Sequence, residues 1–271
     1  MLFPGIWGMM ERRISRERQG RTDRKKMEKA APGSMNERMG CAVGVSDMME
    51  GRYGGVMRIA SGDVVAEQLR VRYPGEEIVS FGEAMCEGRA VEPVFGPEFI
   101  RLRSLAYGVT EDMYRKKCPG EAVRRLAGRA SVCVLYFDDD MFCVVNVITL
   151  LAYLEELGFK GDVVLYRLPC DGSLRILEEQ PLALGKFGPC YRRVLVERRP
   201  FTTELTYFDS GIPLYLDYVR EENDITRYIR FSDGLGETEL MHRLMERFTE
   251  YGLTDLAALR FIRQVRDGSG T

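Results

Sequence analysis

The sequence predicts an α/β fold, in which an open, mostly parallel sheet is flanked by helices and followed by a C-terminal helical module. Residues 132–137 form a continuous apolar run, which is typical of a strand buried on both faces of a sheet. Apolar residues then recur at helical spacing from Val144 to Leu154, and after Gly158 a second apolar run follows at 162–168. A strand, a helix and a strand with short connections form a parallel crossover, so we expect a parallel sheet.

Two earlier strands and one helix are predicted from shorter signals. The runs at 56–60 and 77–81 are rich in β-forming residues and indicate strands. Ser61-Gly62 stands between the first of these strands and a helical pattern over 63–70. The order strand, helix, strand therefore occurs twice in the chain.

The segment between these two units is predicted to be helical. Pro97 begins a helix that ends near Tyr107, because proline is tolerated in the first turn of a helix. Thr110 caps the next helix, and Pro119-Gly120 interrupts the helical pattern before it resumes to about residue 126.

The last third of the chain is predicted to be mostly helical. Thr254 is a favourable N-cap for the final helix. The helical patterns lie near residues 188–198, 213–222, 237–250 and 254–266. We therefore divide the chain into an α/β domain over 57–200 and a helical module over 201–271.

Residues 1–56 differ from the rest in charge. They hold 11 of the 39 basic and 7 of the 41 acidic residues, a net charge of +4, which leaves −6 on residues 57–271. Few large apolar side chains lie between residues 11 and 29, so we expect a disordered basic tail. A basic tail can bind nucleic acid through phosphates. Alternatively, because eight of the 14 methionines fall in residues 1–49, translation starts at Met57 and the tail is an over-extended start.

The composition excludes several classes of site. The chain has one histidine, His242, so a site with several histidine ligands is excluded, and any catalytic triad would have to use that residue. His242 falls among the polar residues of a late helical pattern, where we expect it to face solvent. The seven cysteines lack the Cys-x-x-Cys spacing of zinc or redox sites, and free thiols indicate the reducing cytoplasm. No apolar stretch is long enough for a transmembrane helix, so we expect no membrane association.

A ligand site is predicted at the carboxyl ends of the strands. In open parallel sheets, the loops and helix N-termini converge there. Asn146, about two turns into the helix after the central strand, could line the same crevice. The other candidates are Ser61, Gly62, Asp63, Glu83, Glu87, Asp138, Asp139 and Asp140.

The three adjacent aspartates, Asp138 to Asp140, suggest two interpretations. Adjacent carboxylates raise one another's pKa and favour a counter-cation, so Asp138 and Asp140 with Glu83 could hold Mg²⁺ for phosphoryl transfer or phosphodiester cleavage. Alternatively, the aspartates cap the helix that follows and complement its dipole. One aspartate suffices for a cap, which leaves at least one of the three without a structural role.

A DNA-associated role is a third alternative. The final two helices resemble a helix-turn-helix in outline, and Arg260, Arg263 and Arg266 on the last helix could contact phosphates. Two antiparallel helices that close a hydrophobic core would produce the same pattern.

The order of these features from Met57 onward resembles the bacterial domain-of-unknown-function family eighteen thirty-five. The family's acidic motif corresponds to residues 135–142 followed by Asn146, and its recurrent aspartate corresponds to Asp140. The chain departs from the family at Cys143 and Val144, where an Asp-Gln pair is common. The other residues that resemble the family's pattern are Ser61-Gly62-Asp63 with Leu69, 75–79 leading to Glu83 and Glu87-Gly88, 103–107, Ile212-Pro213, 218–222, Asp233-Gly234-Leu235 and Glu239.

The resemblance implies a bacterial protein and no particular activity. From the residues, we expect a cytoplasmic protein that binds a small or nucleotide-like ligand at the strand ends, with a regulatory role. The alternatives are a Mg²⁺-dependent phosphoryl-transfer enzyme and a DNA-associated protein.

Overall fold

The computed structural model describes residues 55–232 and 234–268 and confirms the α/β fold. Residues 1–54 of the basic tail predicted over 1–56 lie outside the described residues, and so do the tail's predicted disorder and nucleic-acid binding and the point of resemblance at Asp233; Val56 belongs to the first strand.

Five strands form a single sheet among the described residues. They are β1 (Val56–Ala60), β2 (Ile78–Ser80), β3 (Val132–Asp138), β4 (Asp162–Leu168) and β5 (Glu178–Leu182). Their order across the sheet is β2-β1-β3-β4-β5. The first four strands are parallel, and β5 is antiparallel to β4. The four strands predicted from the sequence are therefore all present.

Ten α-helices surround this sheet in the described part of the chain. A short π-helix lies at Arg192–Val196 and a short 3₁₀-helix at Thr249–Tyr251. The helices are α1 (Asp63–Arg72), α2 (Pro97–Tyr107), α3 (Glu111–Lys117), α4 (Gly120–Ala127), α5 (Met141–Glu156), α6 (Phe187–Tyr191), α7 (Thr206–Tyr218), α8 (Asp224–Arg230), α9 (Glu237–Arg247) and α10 (Asp255–Arg266).

The two faces of the sheet are covered very differently. Alternate residues of β3 point to opposite faces: Val134 and Tyr136 pack with α1, whereas Leu135 and Phe137 pack with α5. The α1 face carries a small cluster, and the α5 face carries one large apolar cluster. Because β3 is buried on both faces, its sequence is apolar without alternation.

The large cluster includes side chains from both predicted regions, 57–200 and 201–271. Helix α7 approaches α5 so closely that a Cβ at Gly211 would lie 2.7 Å from a methyl group of Val144. The C-terminal helices therefore share the core of the sheet, and the division into an α/β domain and a helical module stays a prediction. No helix within 55–232 or 234–268 combines the length and the apolar character needed to cross a membrane.

Strand β5 is not predicted by the sequence pattern. Its residues, Glu-Glu-Gln-Pro-Leu, neither alternate clearly nor form an apolar run. The strand lies at the edge of the sheet, where a proline is tolerated, and its residues before Leu182 are exposed or half-buried. An ion pair between Arg167 of β4 and Glu178 of β5 joins the two strands where they pair.

The predicted helix over 213–222 is wrong in its bounds, and α8 was not expected. Helix α7 begins at Thr206 and contains Pro213 in its interior. The Asp209 carboxylate accepts hydrogen bonds from the backbone N–H groups of Thr203 and Glu204, at 2.7 and 3.0 Å, and so fixes the turn before the helix. Pro213, where the predicted helix begins, thus lies well inside α7.

The predicted helix cap at Thr110 gives a first stability prediction. Its hydroxyl oxygen accepts a hydrogen bond from Met113 N–H at 3.2 Å, so Thr110→Ala should lower the free energy of unfolding by about 1 kcal/mol. Urea denaturation monitored by circular dichroism measures the change. Thr110→Ser keeps the hydroxyl and should recover most of the loss; equal losses in both variants would contradict the capping role.

Candidate functional site

The order of strands reverses between β1 and β3. From β1 the chain passes through α1 to β2, whereas from β3 it passes through α5 to β4, on the opposite side. Helices α1 and α5 also lie on opposite faces of the sheet. The loops after β1 and β3 therefore separate and leave a crevice at the carboxyl ends of the two strands. Such switch points are where open α/β sheets bind ligands.

A cavity of about 320 Å³ lies at this crevice. Six of the predicted site residues line it: Ser61, Gly62, Asp63, Glu83, Glu87 and Asp138. The cavity is also lined by residues that were not predicted as site residues, among them Tyr107, Tyr114, Cys170, Tyr218, Tyr251, Gly252 and Ala257. The loops after β1, β2 and β3 thus meet at one cavity, as expected at the carboxyl ends of parallel strands, and residues of the C-terminal helices form a further wall.

Glu83 forms the centre of a buried hydrogen-bond network. Its carboxylate accepts hydrogen bonds from the hydroxyls of Tyr114 and Tyr107, at 2.6 and 3.0 Å, and lies 3.3 Å from Arg103 Nε. Burial and the charge of Glu83 raise the pKa of both tyrosines, so their hydroxyls stay protonated and act as donors. The predicted partnership of Glu83 with Asp138 and Asp140 at a metal has no support here, since its two oxygens are bound by protein groups.

Arg103 holds the irregular segment after β2 in place. Its guanidinium is fully buried and donates hydrogen bonds to the backbone oxygens of Ala84 and Glu87 as well as to Tyr107. Burial alone would lower the pKa of Arg103, but Tyr107 and Glu83 beside it raise that pKa above its ordinary value. Arg103 therefore stays charged and fixes the part of the cavity wall that carries Glu83.

Glu87 connects this wall to the C-terminal helices. Its carboxylate accepts a hydrogen bond from the Tyr218 hydroxyl at 2.5 Å and forms an ion pair with Arg260 of α10. Arg260 also donates to the Tyr218 hydroxyl at 2.8 Å. The sequence separates Glu87 from Arg260 by 173 positions, so nothing in the local pattern indicates this contact.

Asn146 has a structural role next to the cavity. It is fully buried in α5, outside the cavity lining, and donates a hydrogen bond to the backbone oxygen of Glu83 at 2.5 Å. Its side-chain oxygen accepts from Met85 N–H at 3.2 Å. The prediction that Asn146 lines the crevice is therefore wrong; it positions the loop that does.

The three adjacent aspartates have three different environments. Asp138 is buried and lines the cavity. Asp139 lies outside the cavity lining and forms an ion pair with Arg167 at 2.6 Å. Asp140 caps α5, accepting a hydrogen bond from Cys143 N–H at 2.7 Å. The capping interpretation thus holds for Asp140, and Asp139 is not a cavity residue.

Asp138, Asp140 and Cys143 also form a possible set of metal ligands. One donor atom from each, two carboxylate oxygens and a sulfur, lies within 4.8 Å of the others, and all three residues are buried. A second sulfur atom, Cys170 Sγ, lies 4.0 Å from Asp140 Oδ2. Burial, with the charges of Asp140 and Asp138, raises the pKa of Cys170 to about 11, so this thiol is protonated near neutral pH.

Gly252 packs directly against the Asp140 carboxyl group. It has a φ of +67°, and a Cβ at this position would lie 2.7 Å from both Cγ and Oδ2 of Asp140. The turn between α9 and α10 can therefore cover the end of β3 only with glycine here. A glycine before a predicted N-cap was visible in the sequence, but its contact with Asp140 was not.

The histidine and the arginines of the C-terminal helices lie as follows. His242 is exposed, as predicted. Arg260 pairs with Glu87, Arg263 with Glu237 at 2.9 Å, and Arg266 donates to a backbone oxygen. All three arginines are thus engaged within the chain, and no observation favours the DNA-associated alternative.

Comparisons with known proteins identify no family for this chain. The chain matches no protein-family model, no curated protein and no solved structure. The resemblance to family eighteen thirty-five therefore stays a prediction.

Proposed function

We propose that the chain binds a small ligand of about nucleotide size in the cavity at the switch point between β1 and β3. The strongest support is that the loops after β1, β2 and β3 meet around one cavity of about 320 Å³. Pockets of roughly 300–1,000 Å³ with a few polar groups are typical of small-molecule sites. Gly62, the N-cap of α1, and residues 63–65 in its first turn border the cavity, and the free N–H groups of a helix N-terminus can donate to a polar ligand group.

The proposal includes a cytoplasmic location and a regulatory role. The described cysteines are free thiols, which suits a reducing compartment. The cavity wall is shared between the sheet and α10, so a ligand would stabilise the contact between them. Ligand binding would change how the C-terminal helices pack against the sheet, and a partner would recognise that change.

Blocking the cavity tests the proposal. Gly62 lines the cavity, has an extended backbone, and has nothing within 4 Å of an added Cβ, so Gly62→Trp should fill the crevice without backbone strain. Gly236 is a matched control, because it is also a helix N-cap with open space around it and lies outside the cavity lining.

We expect a panel of nucleosides and nucleotides, screened by ligand-observed NMR, to contain a saturable binder of the full chain. Gly62→Trp should lose this binding, and Gly236→Trp should retain it. Binding that survives Gly62→Trp would place the site elsewhere, and a panel without a binder would contradict the proposed ligand class.

A metal-dependent phosphoryl-transfer activity is the second candidate, and the cluster of Asp138, Asp140 and Cys143 supports it. Two carboxylates suit Mg²⁺ or Mn²⁺, whereas a thiol as third ligand favours a softer ion than Mg²⁺. A bound ion at this position would face the cavity beside Asp138, where it could polarise a phosphoryl oxygen.

Thermal unfolding in the presence of each metal tests this candidate. Mn²⁺ should raise the melting temperature of the full chain, and Asp140→Asn should abolish the increase, because asparagine keeps the helix cap but removes the charge. Asp139→Asn is the matched control, since Asp139 lies outside the cluster. An increase of equal size in all three proteins would show that the ion binds elsewhere.

A further inference from the structure

The π-helix between α6 and α7 ends with an arginine in an unfavourable backbone conformation. Its last residue is Val196, and Arg198, the second residue after it, has a φ of +53°. Helices often end with a left-handed residue at this position, which is usually glycine because a Cβ is disfavoured there. Arg199 N–H closes the turn by donating to the Arg193 backbone oxygen at 2.9 Å. An arginine at position 198 therefore destabilises the fold relative to glycine.

The side chain of Arg198 does not compensate for this within the chain. It is exposed, and it forms no ion pair and no side-chain hydrogen bond with the residues at 55–232 and 234–268. The same holds for the neighbouring Arg199. Residues in unfavourable backbone conformations are concentrated at functional sites, so a role in binding explains an arginine here better than a role in the fold.

The surface around these two residues is positively charged. We name residues 192–200 the arginine segment. Its four arginines and one glutamate give a net charge of +3, which Glu92 reduces to +2 by pairing with Arg192 at 2.7 Å. Arg193 lies along the same loop, because its Nε donates to the Pro200 backbone oxygen at 3.5 Å. The arginine segment contributes nothing to the described lining of the cavity, so it is a separate surface.

The composition of the arginine segment favours an acidic peptide over a nucleic acid. Guanidinium groups bind carboxylates through two parallel hydrogen bonds, and the exposed Val196 offers a contact to an apolar side chain. A nucleic acid is less suited, because the segment has no aromatic side chain on which a base can stack. The net charge of −6 on residues 57–271 also repels a long polyanion.

From these observations we infer that the arginine segment is the docking surface for a partner protein, which it binds through an acidic peptide that also carries apolar side chains. Arg198 and Arg199 pair with carboxylates of the peptide, and Val196 contacts one of its apolar side chains. This inference goes beyond the proposed ligand binding in the cavity, and each can hold without the other.

Fluorescence anisotropy with labelled peptides tests the inference on the full chain. The acidic probe is the peptide Gly-Glu-Leu-Glu-Glu-Leu-Glu-Gly, and the neutral probe has glutamine in place of each glutamate. At low ionic strength the acidic probe should bind at least about tenfold more tightly than the neutral one. Its affinity should fall as salt is added, because exposed charges are screened.

Two matched substitutions locate the binding. Arg198→Gln should weaken binding of the acidic probe several-fold, because it removes the guanidinium charge. Arg175→Gln is the control: Arg175 is also exposed and forms no ion pair with a described residue. Its neighbours pack on the α1 face of the sheet, whereas Val194 and Leu195 of the arginine segment pack in the cluster of the α5 face. The control removes the same charge from the other face and should leave the affinity unchanged.

A third variant, Arg198→Gly, separates binding from folding. Glycine removes the guanidinium and also adopts the left-handed conformation without a Cβ. This variant should therefore melt at the same or a higher temperature than the unchanged chain, and should bind the acidic probe as weakly as Arg198→Gln. A lower melting temperature would mean that the Arg198 side chain supports the fold, and would overturn the inference.

The remaining outcomes are equally distinct. Equal weakening by Arg198→Gln and Arg175→Gln would attribute the binding to the overall charge and overturn the inference. Binding that neither substitution changes would place the site outside the arginine segment, with the same consequence. Tighter binding of a DNA duplex than of the acidic probe would overturn the class of partner. The ligand in the cavity is tested independently with Gly62→Trp, so failure of one proposal leaves the other standing.

Discussion

Replacing Arg103 with methionine should lower the free energy of unfolding by about 3–5 kcal/mol. The guanidinium is fully buried and contacts the Glu83 carboxylate, the Tyr107 hydroxyl and two backbone oxygens. Methionine fills similar space but leaves the charge of Glu83 buried without its cation. Chemical denaturation of the full chain measures the loss.

A second variant separates the charge from the packing. Glu83→Gln combined with Arg103→Met removes both charges, and the glutamine side-chain oxygen can still accept from the tyrosines, so the double variant should be more stable than Arg103→Met alone. Arg101→Met is the matched control on the same helix. Arg101 is 49% exposed and pairs with Glu98 on the surface, so its loss should cost less than about 1 kcal/mol. Similar losses at positions 101 and 103 would contradict the buried network.

Replacing Gly252 with alanine should be the next most damaging change. The left-handed backbone costs an ordinary residue about 1–2 kcal/mol, and the new methyl group would also press on the Asp140 carboxyl group, which adds about 1–3 kcal/mol. The expected result is a clear fall in melting temperature and a displaced turn between α9 and α10.

Gly158 supplies the control for this experiment. Its φ of +68° matches the +67° of Gly252, yet nothing lies within 4 Å of a Cβ added there. Gly158→Ala therefore measures the backbone cost alone, and the difference between the two variants measures the contact with Asp140. Adding Asp140→Ala to Gly252→Ala should recover part of that difference. Equal losses of stability in Gly158→Ala and Gly252→Ala would show that the contact between position 252 and Asp140 does not affect stability.

The sheet and the position of the site were predictable because they depend on local patterns. The apolar run of β3 and the helical spacing of α5 are visible within a few residues, and the strand-end rule then locates Asp63, Glu83 and Asp138. Strand β5 was not predictable, since an exposed edge strand needs no apolar face.

The roles of individual site residues depended on contacts that sequence does not contain. Glu83 was proposed as a metal ligand, but the tyrosines and the arginine that bind it come from α2 and α3. Asn146 was placed in the crevice, yet its amide is used to hold the neighbouring loop. Whether a polar residue stabilises the fold or faces the cavity thus depends on partners that lie far away in the sequence.

The bond between Arg260 and Glu87 also concerns the order of events during synthesis. The ribosome makes the chain from its amino end, so β1 to β5 can pair while α10 is still unmade. The cavity wall is complete only when residues 254–260 have emerged and Arg260 can reach back to Glu87. The proposed ligand would therefore meet a complete cavity only after α10 has packed against the sheet.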